Sequence, residues 1–133
     1  GKLKILKSED LKKKLSDPNL TKETLLEVAE EFHSSVKEGV FEAKGYPKQG
    51  YAMSKLLINL YASVLARDPE VIKKGMQVYS ACPGWVKTDM AGDKAKLTIQ
   101  EGSVCPCSLI DLKWEINKEY QGKFFSECQI TPL

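Results

Sequence analysis

The chain has 133 residues, of which 42% are hydrophobic and 29% are charged. This composition is typical of one soluble globular domain and excludes a disordered or fibrous chain. Lys and Arg total 20 against 18 Asp and Glu, and because the two signs are interspersed, nucleic acid is not an expected partner. The longest apolar stretch, Leu56 to Ala66, is too short to cross a bilayer, so no membrane partner is expected.

The N-terminus and the cysteines indicate the cellular compartment of the chain. The first residues lack the apolar core of a signal peptide and do not begin with Met, so we expect a cytoplasmic chain that is a fragment or a processed form. Cys82, Cys105, Cys107 and Cys128 show no C-x-x-C spacing, which predicts reduced thiols. The lone His33 is far along the chain from every cysteine, so no metal site is expected.

Helical patterns occupy the first half of the chain. Ser8 is a suitable N-cap for a helix that runs through Leu15. Thr21 is a suitable N-cap for a second helix to about Glu38, whose single apolar stripe predicts a surface position. Residues Tyr51 to Ala66 are apolar on nearly every side, which predicts a third helix that is buried widely.

The second half alternates strands with a helix. Met76 to Cys82 has the length and residue types of a strand, and Gly122 to Ser126 is the last predicted strand. Between them, Thr98 and Glu101 form a capping-box pattern that starts a helix from about Ile99 to Trp114. Because the crossover is longer than a dozen residues, we expect parallel strands in an α/β fold with right-handed connections.

Tyr51 and Lys55 are the candidate catalytic pair. Four residues apart on a helix, they share one face about one turn from each other. A lysine charge about 5 Å from a phenol favours the phenolate by about 3 kcal/mol at an effective dielectric of about 20. Such a phenol can exchange a proton with a carbonyl or alcohol oxygen. The spacing alone is a weak signal, and its structural alternative is a snorkelling lysine beside a half-buried phenol.

The order of the motifs is more specific than the pair. Tyr51-Ala52-Met53-Ser54-Lys55 opens an apolar helix, a strand follows, and then comes Cys82-Pro83-Gly84-Trp85-Val86-Lys87-Thr88-Asp89-Met90. In this order the chain resembles the short-chain dehydrogenase/reductase family, and its carbonyl reductase-like members in particular. The resemblance implies an α/β fold, the C-terminal, catalytic-side part of a Rossmann-like doubly wound parallel sheet with an inserted helical segment.

The resemblance also implies a domain organisation. Residues 1–133 would form a single partial Rossmann-like catalytic domain. Within it, 8–45 would be a helical insertion, and 46–133 would hold the catalytic helix, the cofactor loop, and the terminal helix and strand. In carbonyl reductase-like members the insertion covers the helix face that other members use to oligomerise, which implies a monomer.

For the catalytic pair, the resemblance implies that Tyr51 is the general acid when a small carbonyl compound is reduced with NADPH (NADP). Lys55 would bind the nicotinamide ribose hydroxyls and favour the Tyr51 phenolate. The family's glycine-rich nucleotide turn and its catalytic serine have no counterpart in these residues. The resemblance therefore places both before Gly1.

The loop after the first predicted strand is the expected cofactor contact. The resemblance implies that Pro83 and Gly84 shape this loop. Val86 would offer backbone groups to the carboxamide, and Thr88 would hydrogen-bond near the carboxamide or the pyrophosphate. Independently of the resemblance, open α/β sheets hold ligands at the carboxyl ends of parallel strands, and Gly84 permits a close backbone approach.

Two further residues of the loop are substrate candidates. The resemblance makes Trp85 a flat apolar wall facing the substrate, and a partly buried packing residue is the equally open alternative. Met90, with the following Ala91-Gly92-Asp93, would belong to a mobile substrate loop, and an ordinary surface connection is the alternative.

Three functions stay open at this point. The first is an NADPH-dependent oxidoreductase that reduces aldehydes or ketones. The second is a truncated or degenerate homologue that acts as a non-catalytic binding or regulatory protein. The third is a short-chain dehydrogenase that oxidises alcohols or steroids with NAD.

Overall fold

The computed structural model describes residues 2–92, 94–112 and 118–133, which form two compact units, Gly1–Val64 with Leu133, and Leu65–Pro132. The predicted helix end at Trp114 and the loop residue Asp93 lie outside the described residues. Across the described ranges, every helix falls short of the length and apolar character that a membrane crossing requires.

The first unit is helical. A short 3-10 helix spans Leu3–Ile5, and it is followed by α1 (Glu9–Leu15), α2 (Lys22–Lys37) and α3 (Gly50–Leu65). The Ser8 side chain accepts a hydrogen bond from the backbone N–H of Leu11, and the Thr21 side chain accepts one from Thr24. These two caps and the ends of α1 and α2 confirm the boundaries predicted from the sequence.

The core of the first unit takes one stripe from α3. Its buried apolar residues come from all three helices and the connections between them: Leu6, Leu15, Leu20, Leu25, Val28, Tyr46, Met53, Leu56 and Leu60. Because Met53, Leu56 and Leu60 recur at helical spacing, they lie on one side of α3. Ile58 is 57% exposed on another side, so the prediction that α3 is buried widely is wrong. The apolar partners from α1 and α2 cover one stripe of it.

The second unit contains a small mixed sheet. Its elements are α4 (Pro69–Lys73), β1 (Ser80–Cys82), α5 (Ile99–Ile110), a 3-10 helix at Lys118–Tyr120, β2 (Phe124–Ser126) and β3 (Gln129–Ile130). The strand order is β1-β2-β3. β1 and β2 are parallel, with Ser80 opposite Phe124, which confirms the predicted parallel pairing. β2 and β3 are antiparallel, and neither β3 nor α4 was predicted.

β1 is shorter than the predicted strand because the Gln121 side chain, and not a neighbouring strand, bonds the backbone at Met76 and Val78. The backbone N–H of Val78 donates to Gln121 Oε1 at 3.0 Å, and Gln121 Nε2 donates to the Met76 carbonyl at 3.1 Å. Backbone pairing begins where the Gly122 N–H donates to the Val78 carbonyl at 2.8 Å, and it continues where the Ser80 N–H donates to the Lys123 carbonyl at 3.1 Å. The strand predicted from Met76 therefore begins at Ser80.

The predicted capping box at the start of α5 is confirmed. Thr98 Oγ1 accepts from the Glu101 N–H at 3.2 Å, and Glu101 Oε2 accepts from the Thr98 N–H at 2.7 Å. The hydrogen bond from the Thr98 backbone, followed by that from its hydroxyl, lowers the pKa of Glu101 below its ordinary value. α5 ends at Ile110, four residues short of the predicted end.

Replacing Glu101 by Gln should lower the Tm at neutral pH, because the carboxylate is the charged acceptor of the capping box. Since the folded-state pKa of Glu101 is lowered, its stabilisation is present above the unfolded pKa and is lost as pH falls through the folded value. Thermal melting should therefore show a Tm difference between the wild type and E101Q that closes as the pH is lowered below about 4.

Glu23→Gln is the matched control, since Glu23 lies in the first turn of α2, where the cap residue Thr21 faces Thr24 and no capping box forms. The Tm of this variant should stay near that of the wild type at every pH. If E101Q changed the Tm at neutral pH as little as E23Q does, the proposed stabilisation by the Glu101 carboxylate would be contradicted.

Candidate functional site

Tyr51 and Lys55 lie together on the exposed side of α3. Lys55 Nζ is 5.4 Å from the centroid of the Tyr51 ring, over its face. The Tyr51 side chain is 72% exposed, whereas Met53 and Leu56 on the opposite side of the helix are fully buried. The core contacts of α3 therefore fix which face it presents, and that face carries both candidate residues.

The charge of Lys55 is available at this face. Within the parts of the chain that the structure describes, the ion pairs between lysines and carboxylates involve Lys7, Lys12, Lys14, Lys44 and Lys48. Lys55 Nζ instead contacts the π face of Tyr51. An ammonium without a carboxylate partner can still donate hydrogen bonds to a ligand's hydroxyl groups.

The loop after β1 is held by a second segment of the same unit. The Trp85 carbonyl accepts from the N–H groups of Lys96 and Leu97 at 3.1 Å, and the Lys87 N–H donates to the Leu97 carbonyl at 2.8 Å. These bonds make Val86 and Leu97 a parallel bridge. In a parallel bridge the residues flanking Val86 make both bonds, so the N–H and C=O of Val86 itself point away from Leu97.

Two glycines let the loop pack closely. Gly84 has a φ of +81°, and a Cβ built on it would lie 2.5 Å from Leu97 Cδ1. A Cβ on Gly102, inside α5, would lie 2.2 Å from Val86 Cγ2. The loop is therefore seated against Leu97 on one side and α5 on the other, which fixes the position of Val86.

Three of the other predicted loop residues line two cavities. The Thr88 carbonyl accepts from the N–H groups of Ala91 and Gly92 at 3.0 Å, and Thr88 lines a polar cavity of about 450 Å³. Trp85 is 52% exposed and, with Pro83, lines a more apolar cavity of about 530 Å³. Met90 is 94% exposed. A half-exposed Trp85 at a cavity is compatible with either predicted role.

The structure groups the sequence candidates in two sets. Tyr51 and Lys55 belong to the first unit, and residues 83–90 belong to the second. Sequence reasoning missed Leu97 and Gly102, because their importance comes from contacts with the loop and neither residue type is distinctive. Among the described residues, no group of three or more His, Cys, Asp or Glu side chains has an arrangement that could hold a metal ion.

Comparisons with known proteins agree with the predicted family resemblance. Carbonyl reductase [NADPH] 3 of Rattus norvegicus is 36% identical over 77% of this chain and 38% of its own length. Short-chain dehydrogenase/reductase 1 of Saponaria officinalis is 34% identical over the whole chain and 43% of its own length. Among solved structures, salutaridine reductase from Papaver somniferum matches with a TM-score of 0.77 at 31% identity, covering 95% of this chain and 41% of that one. No family model matches the chain.

The fold and the motif order thus define a short-chain dehydrogenase/reductase, and the chain belongs to that family. Its relatives include carbonyl reductases, which are oxidoreductases, and the predicted resemblance is confirmed. The chain spans about two fifths of the length of these relatives, between 38% and 43% in the three matches above.

Replacing Gly102 by Ala tests whether α5 positions Val86. The added methyl group would overlap Val86 Cγ2, so the variant should be destabilised by about 1–3 kcal/mol although alanine favours helix. Val86→Ala in the same chain removes the overlapping methyl groups, so the double variant should recover much of the loss, a non-additive result in denaturant unfolding.

Ser103→Ala is the control for the glycine substitution, because Ser103 lies next to Gly102 in α5 and its side chain is exposed. It should change the free energy of unfolding little. Additive effects of G102A and V86A would show that the two residues do not set each other's position.

Proposed function

We propose that this chain carries the proton-transfer residues and the nicotinamide-side loop of an NADPH-dependent carbonyl reductase, which reduces aldehydes or ketones to alcohols. The observation that carries the proposal is the Lys55 ammonium over the exposed Tyr51 ring, on a helix followed by the Pro83-Gly84 loop in the family's order. The activity is proposed for the complete protein, since the chain spans about two fifths of its relatives.

In the proposed reaction, Tyr51 is the general acid. When bound, NADPH supplies the hydride to the carbonyl carbon. The Tyr51 hydroxyl donates its proton to the carbonyl oxygen as negative charge develops there. Lys55, whose Nζ lies 5.4 Å from the centroid of the Tyr51 ring, would favour the negative charge that the proton leaves behind. Because the phenol is 72% exposed, water weakens this attraction until ligands displace the water.

The loop would hold the nicotinamide side of the cofactor. The outward N–H and C=O of Val86 are suited to the two polar atoms of a carboxamide, and Thr88 would hydrogen-bond close by. Pro83 and Gly84 shape the backbone that leads to Val86. Trp85 and the exposed Met90 would contact the substrate. Lys55 would donate to the ribose hydroxyls.

Residues 8–45 would be the helical insertion within a Rossmann-like domain that spans the chain. Leu15, Leu25 and Val28 from this range share the core cluster with Met53 and Leu56 of α3. The insertion therefore covers the side of α3 opposite Tyr51, which supports the monomer proposed for the complete protein. In analytical ultracentrifugation the complete protein should sediment as a monomer. A stable dimer would count against this proposal.

Tyr51→Phe should abolish the reductase activity. Loss of the proton donor is expected to lower kcat by about 10²–10⁴-fold with little change in KM for NADPH. The measurement is NADPH oxidation with an aldehyde substrate, using the complete reading frame that contains these 133 residues. Tyr61→Phe is the matched control, because Tyr61 is a partly exposed tyrosine on the same helix and is outside the candidate pair.

The same preparation distinguishes the other functions. A binding or regulatory homologue would bind NADPH in calorimetry but would not oxidise it. The wild type and Tyr51→Phe would then both show no rate of NADPH oxidation. A dehydrogenase of alcohols or steroids would favour NAD and the oxidative direction. Full activity in the Tyr51→Phe variant would overturn the assignment of the general acid.

A further inference from the structure

We propose that Cys105 and Cys128 form a dithiol modification site, which hydrogen peroxide converts to an intramolecular disulfide between α5 and the β2–β3 turn. Neither residue is used in the proposed reduction. The proposal concerns the chain's own chemistry and does not depend on whether the complete protein is a reductase.

The two cysteines line the same cavity of about 530 Å³ in the second unit, together with Cys82, although they are distant in sequence. Cys105 lies in α5 and is 5% exposed, and Cys128 lies in the turn between β2 and β3 and is exposed. Both are free thiols. A buried thiol beside an accessible one in the same cavity is a suitable arrangement for a resolving and a reacting cysteine.

The turn that carries Cys128 has a costly backbone conformation. Ser126 pairs with Gln129, so Glu127 and Cys128 form a two-residue hairpin turn. Their φ angles are 54° and 58°, in the left-handed region where such turns ordinarily use Asn-Gly. The hairpin therefore holds Cys128 in a conformation that residues other than Asn and Gly adopt at a cost.

The difference in exposure between the two thiols favours Cys128 as the residue that reacts first. Burial raises the pKa of the Cys105 thiol above its ordinary value, and the neighbouring Cys128 thiol raises it further. The Cys128 backbone acts in the opposite direction, with a smaller effect. Cys105 therefore remains protonated at neutral pH, and the exposed Cys128 meets a soluble oxidant first.

The chemistry balances with peroxide as the sole oxidant. The Cys128 thiolate attacks one peroxide oxygen, the O–O bond breaks, and the departing hydroxide takes up a proton to give water and a sulfenic acid. Cys105 sulfur then attacks the Cys128 sulfur, the S–O bond breaks, and a second water leaves with the Cys105 proton. Two thiols and one peroxide thus give one disulfide and two waters.

Peptide mapping of the folded chain after brief peroxide treatment and thiol blocking tests the proposal. Trypsin places Cys82 in peptide 75–87, Cys105 and Cys107 in 97–113, and Cys128 in 124–133. The expected product is a cross-link between 97–113 and 124–133, with the loss of two hydrogens and no dimer. A predominant link to 75–87, a dimer, or no disulfide would overturn the proposal.

Two variants assign the partner within 97–113. Cys107→Ser removes the exposed cysteine on the same helix and should leave the cross-link intact. Cys105→Ser should abolish it and leave a sulfenic acid on Cys128, which dimedone traps. Loss of the cross-link in C107S would contradict the assignment. If C105S does not fold, C107S together with the wild-type map still decides the outcome.

Discussion

The burial of one stripe of α3 is the constraint from which the candidate site follows. Met53, Leu56 and Leu60 anchor the helix in the core of the first unit. Because a helix has a fixed angular period, this burial leaves Tyr51 and Lys55 on the opposite, exposed face. Their mutual contact of 5.4 Å needs no further element to hold it, since both side chains belong to adjacent turns of one helix.

The second unit positions its loop by a different means. The backbone of Trp85 and Lys87 is tied to residues 96–97, and the side chain of Val86 fits where Gly102 leaves room in α5. The hydrogen bonds hold the loop against residues 96–97, and the packing of Val86 holds it against α5. Together they turn the polar backbone atoms of Val86 away from Leu97.

The features that the sequence predicted well are local ones. Ser8, Thr21 and Thr98 cap helices through hydrogen bonds to residues three positions away, so each cap is complete within its own segment. The shared face of Tyr51 and Lys55 is local for the same reason. Their assignment to a site came from the order of motifs, because spacing alone does not separate a catalytic pair from a chance one.

The features that were missed depend on distant partners. Gln121 limits the length of β1, because its side-chain amide hydrogen-bonds the Val78 N–H and the Met76 carbonyl. No residue type in the predicted strand indicates this contact. The β2–β3 turn lacks the Asn or Gly that signals a tight hairpin, so β3 went unrecognised. The burial of α3 depended on how many apolar partners the other helices supply.

The capping box of α5 also decides what kind of ligand that helix can attract. Unpaired N–H groups at the amino end of a helix make a ready anchor for phosphate. In α5 the chain's own carboxylate, Glu101, already occupies this end through the Thr98 backbone and hydroxyl, and Glu101 also lines the cavity beside Trp85. An anion that approaches this end of α5 would meet a carboxylate, which disfavours its binding there.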